Sequence, residues 1–62
     1  MSLGYYKRLV RICLKKAVKT AYGTEREDIV NLKMQKYEEE FPEFLERNFS
    51  PEVAATAILL DF

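Results

Sequence analysis

Nucleophilic catalysis needs a nucleophile held beside a base, and this sequence offers one thiol, Cys13, and no histidine. Wound on a helix at about 100° per residue, Cys13 falls beside Tyr6, Val10 and Leu14 on the apolar side, turned away from the neighbouring cations. It is expected to be a small buried hydrophobe. Acid–base work would then fall to carboxylates or lysine. Paired carboxylates cleave glycosides only across a cleft, which a chain of 62 residues can hardly build alone. No catalytic residue and no enzyme activity are expected.

The acidic cluster Glu38-Glu39-Glu40, continued by Glu43 and Glu46, is the one candidate for a cation site. Glu39, Glu43 and Glu46 would share a helix face only if helix ran through Pro42. Hard cations want oxygen ligands in a defined loop or cage, and the glycine-containing calcium-loop spacing is absent. One cysteine without histidine does not make a zinc site either. A solvated face is the expected role of these carboxylates, with no metal and no cofactor.

Cations carry the second chemical signal. Arg8, Arg11, Lys15 and Lys19 fall together on one side of a helix, opposite its apolar side. Three roles suit them. They can be a solvated surface balanced by the acidic segment, which ranks first. They can bind phosphate, with Tyr5 available for stacking, or rest on an anionic membrane. Against phosphate stands the acidic remainder of so small a chain. In helix-turn-helix proteins, moreover, it is the second helix of the motif that reads bases. Against a membrane stands the core's need for the helix's apolar stripe.

The charge balance explains why these cations matter. Ten basic and ten acidic residues cancel, which disfavours both a strongly basic nucleic-acid binder and an acidic tail. The cancellation is segregated along the chain. Residues 1–22 carry six positive and no negative charges, while residues 23–62 carry four positive and ten negative. The acidic part is expected to fold back on the basic helix, within one chain or across a dimer. Each exposed ion pair contributes only about 0–1 kcal/mol, so its value lies in orientation and partner choice.

The elements that position these groups are helical. Residues 3–22 gather Leu3, Tyr6, Val10, Cys13, Leu14, Ala17 and Ala21 into one stripe, widened by Leu9 and Val18. Gly23 is suited to close this helix in the left-handed conformation. Thr24 and Glu27 match a capping box, which starts a second helix at about residue 25, running to about 41. Val30, Met34, Tyr37 and Phe41 form its apolar stripe, with Ile29 and Leu32 on another side. Pro42 predicts a break, followed by a short helix at about 42–47. Asn48 is expected to end that helix as its left-handed residue, with Phe49 packed back on Phe44. Ser50-Pro51-Glu52 then predicts a last helix at about 51–61. That helix is apolar on nearly every side and so must be central or shared with a partner. No strand pattern and no repeat is present.

The fold class expected is therefore all-α, a single domain of three to four helices over residues 1–62. A chain of this size hides only about 60% of its unfolded surface on folding, so marginal stability favours self-association. With Cys13 alone, no intrachain disulfide can form, and a reducing compartment suits the chain. No signal peptide is visible, and the longest apolar run is far short of the roughly 20 residues that span a bilayer. The resulting expectation is a cytoplasmic helical protein–protein interaction module acting as a homodimer. Its interface candidates are Ile58, Leu59 and Phe62. The second choice is a nucleic-acid-binding regulator using Arg8, Arg11, Lys15 and Lys19.

Overall fold

The computed structural model describes residues 1–61, which form four helices in the order α1 (Leu3–Tyr22), α2 (Glu27–Lys36), α3 (Phe41–Glu46) and α4 (Pro51–Leu60). The expected all-α array is present, with no strand among the described residues. The 20 residues of α1 span about 30 Å at 1.5 Å per residue, and the molecule measures 32 Å along its longest axis. Helix α1 is thus as long as the whole protein, and the other three helices all pack on it.

Its buried side is narrower than the expected stripe. Tyr6, Val10, Leu14 and Val18, each four residues apart, are the buried residues of α1. Leu3 and Ala21, at the two ends of the expected stripe, are exposed. The other helices cover the middle of α1 and not its tips. Ser2 accepts a hydrogen bond from the Tyr5 amide at 3.2 Å and caps the start. Gly23, at φ 76°, closes the end in the left-handed conformation as expected.

Helix α2 corrects two expectations. It starts at Glu27 and stops at Lys36, shorter than the expected span of about 25–41. The Thr24 capping box does not form: Arg26 is the N-cap residue and no side chain caps the start. The Glu27 carboxylate instead meets Arg11 at 3.0 Å and Lys15 at 3.7 Å. Two cations on α1 are stronger partners for it than a backbone amide. Val30 is buried, and Ile29, Met34 and Tyr37 pack against the core, while Leu32 is exposed.

Residues 37–40 form successive turns between α2 and α3, so the break falls before Phe41 and not at Pro42 as expected. Pro42 sits in the first turn of α3, where its missing amide hydrogen costs nothing. The ending of α3 follows the expectation closely. Asn48 is left-handed at φ 60°, and the Phe49 amide donates to Phe44 O at 3.0 Å. The Phe44 and Phe49 rings stack with centroids 5.3 Å apart. Together with Phe41, edge-on to Phe44 at 6.2 Å, they close one end of the core.

Helix α4 begins as expected, with Ser50 Oγ accepting from the Val53 amide at 3.2 Å and Pro51 in the first turn. It makes the most extensive contact with α1. It also runs across α1 from one flank to the other. At its start Glu52 lies beside Cys13, and at its end the Lys33 ammonium of α2 donates to Asp61 O at 2.8 Å and Ile58 O at 3.4 Å. That ammonium satisfies carbonyls at the negative end of the helix, and Lys36 pairs with the Asp61 carboxylate at 3.4 Å. Helix α4 is not central, however. Only Ala54, Ala55 and Ile58 are buried, so of the two roles expected for it, central or shared with a partner, the first does not hold.

Candidate functional site

Two surfaces collect the residues singled out in the sequence: the outer face of α4 and the outer face of α1. On α4, packing against α1 consumes Ala54, Ala55 and Ile58. The opposite side presents Val53, Thr56, Ala57 and Leu60, all exposed, at the i, i+3, i+4, i+7 spacing of one helix face. Val53 is 54% exposed and Leu60 67%. Glu52 flanks this face at one end, and Glu52, Val53, Thr56 and Ala57 line an open hollow. Small residues at its middle allow another helix to approach closely.

The three expected interface residues divide. Ile58 is fully buried against α1 and is corrected from an interface residue to a core residue. Its packing was hidden in the sequence because every side of α4 is apolar. Leu59 is half-buried and packs on the core. Phe62 lies outside the described residues. The residues that the sequence reasoning passed over are Val53 and Leu60, which become legible once the buried face of α4 is known.

On α1, Arg8, Arg11, Lys15 and Lys19 also divide. Arg11 reaches Glu27 at 3.0 Å and the Asn31 side-chain oxygen at 2.5 Å, and Lys15 shares Glu27. Lys7, on the neighbouring flank, pairs with Glu38 and lies 5.9 Å from the Phe41 ring centroid. The acidic segment therefore folds back on the basic helix within one chain. Among the described residues, the side chains of Arg8, Lys16 and Lys19 make no ion pair. Lys16 and Lys19 join Ile12, Lys15 and Glu25 around a second open hollow. Arg11 and Lys15 thus leave the unpaired set, and Lys16 joins it.

Cys13 is half-buried, with its Sγ 4.0 Å from Glu52 Oε1. Burial pushes the thiol pKa up, and the Glu52 carboxylate adds to the rise against a smaller opposing effect of Lys16. Both effects work against the thiolate form that nucleophilic chemistry needs. The Tyr6 hydroxyl, buried at the other end of α1, donates to Phe49 O at 2.8 Å. Burial raises its pKa as well. At the α1–α2 corner, a hydrogen bond from Arg26 holds the Asp28 carboxyl below the usual carboxylate range. Among the described residues, no group of three or more acidic, cysteine or histidine side chains is placed to hold a metal ion. Nor is any helix among them long and apolar enough to cross a membrane.

Compared with protein-family models, curated proteins and solved structures, the chain matches none.

Proposed function

We propose that this protein is a small helical protein–protein interaction module that acts as a homodimer through the outer face of α4. The observation that carries this reading is the second apolar face of that helix, Val53, Ala57 and Leu60, which nothing among the described residues covers. Among the described residues nine form the fully buried core, and a core that small gains from further apolar burial. A second copy is the simplest partner. The face carries no charge between Glu52 and Asp61, so it can meet itself without stranding an ion. With the two-fold axis perpendicular to the helices, the copies run antiparallel, with Ala57 near the axis and the helix dipoles opposed.

Two ten-residue helices bury a small interface, so association in the micromolar range is expected. A cytoplasmic setting fits a chain with one unpaired thiol. Regulation by binding is a role open to such a dimer. The phosphate-binding alternative is weaker, because Arg11 and Lys15, half of its proposed cations, are already engaged with Glu27.

Sedimentation equilibrium tests the reading. The wild-type chain is expected to pass from monomer to dimer across micromolar concentrations, and Leu60→Asp to stay monomeric with its helical circular dichroism intact. A wild-type monomer throughout, or an unaltered dimer in Leu60→Asp, would overturn it.

A further inference from the structure

Helix α1 turns a second, chemically different surface to solvent. Tyr5, Arg8, Ile12, Lys15, Lys16 and Lys19 are all exposed and lie opposite the buried Tyr6–Val18 row. Tyr5, Ile12 and Lys19 recur every seven residues, with Arg8 and Lys15 three residues after the first two. That is the ridge another helix reads. No acidic residue lies on α1. Glu25, at the far end of the strip, is the one carboxylate lining its hollow.

We propose that this face docks an acidic amphipathic helix of a partner protein, with Ile12 as the apolar anchor and Arg8, Lys16 and Lys19 as the pairing cations. Charge complementarity specifies an acidic occupant, since these three side chains make no ion pair among the described residues. The centre of the strip specifies a protein. Ile12, 47% exposed among these cations and lining their hollow, has no use for a phosphate backbone but fits a partner's apolar side chain. A membrane would find only Tyr5 and Ile12 to bury here, too little apolar surface for an interfacial helix. The exposed pairs set orientation and rate, and Ile12 supplies affinity.

The test uses the full chain and a fluorescent synthetic helix carrying two leucines seven residues apart, flanked by glutamates on one face. A scrambled peptide of the same composition is the control. Anisotropy at about 50 mM NaCl is expected to show the patterned peptide binding at least about tenfold more tightly than the scramble. Ile12→Ser is expected to weaken it by about tenfold, and Lys16→Glu with Lys19→Glu to abolish it. Arg8→Glu gives the same readout on a separate turn, should the double variant lose helicity. Leu60→Asp is expected to bind as the wild type does, so this result is independent of the α4 dimer. Equal binding of the scramble, an unaffected Ile12→Ser, or tighter binding to duplex DNA or phosphatidylserine vesicles would overturn the proposal.

Discussion

The two faces of α4 have nearly the same composition and opposite fates. Ala54, Ala55 and Ile58 disappear beneath α1, whereas Val53, Ala57 and Leu60 lie in solvent ten or fewer residues from Ser50. Hydropathy does not separate them. What separates them is packing on α1, and the helix is held by a polar contact at each end. Tyr6 holds the Phe49 carbonyl at 2.8 Å just before α4 begins, and Lys33 holds the Asp61 carbonyl at 2.8 Å just after it ends.

Substitutions on the two faces give the sharpest contrast. Ile58→Ala is expected to cost about 2–5 kcal/mol in urea unfolding, as a large-to-small change in a closed core. Leu60→Ser is expected to stay within about 0.5 kcal/mol at concentrations below dimerisation. Equal costs would mean that both faces are buried in the monomer.

Next in size is the anchor. Tyr6→Phe is expected to cost about 1 kcal/mol, the net value of one hydrogen bond. Its pH dependence has a definite sign. Burial raises the folded pKa of Tyr6 above the unfolded value of about 10. The native state therefore holds its proton longer than the unfolded chain. The Tyr6 contribution is complete below about pH 10 and is lost as pH rises from there through the folded pKa. The stability gap between wild type and Tyr6→Phe should narrow above pH 10, and a gap that widens would contradict the assignment.

The smallest effects compare two helix starts. Ser50→Ala is expected to cost about 1 kcal/mol because its hydroxyl caps α4. Thr24→Ala should cost a few tenths at most, since no side chain caps α2. Thermal unfolding of the pair reads both.

The same two starts show what was legible in the sequence. The Asn48–Pro51 corner could be read residue by residue, because its left-handed residue, ring stack and serine cap involve only neighbours in sequence. At the Thr24–Glu27 corner the local signal was as good and the outcome differed. Glu27 found Arg11 and Lys15, respectively 16 and 12 residues away along the chain, and the capping box went unmade. The rule extends to the candidate surfaces. The charge segregation foretold that the acidic segment would fold back on α1. Only tertiary contacts decide that Arg11 and Lys15 are paired while Arg8, Lys16 and Lys19 are not. Likewise Ile58 and Leu60 are equivalent by sequence pattern, and only the crossing of α4 over α1 distinguishes core from surface.

The central claim is that the face formed by Val53, Ala57 and Leu60 meets the same face of a second copy across a two-fold axis. Ala57→Cys in a Cys13→Ala background tests it most directly, with Gln35→Cys on the exposed side of α2 as the control. If Ala57 lies near the axis, mild oxidation at micromolar concentration should link Ala57→Cys into a covalent dimer well before Gln35→Cys, because only close Cβ atoms can be bridged. Adding Leu60→Asp should abolish the difference. Cross-linking of Ala57→Cys no faster than of Gln35→Cys would contradict the account.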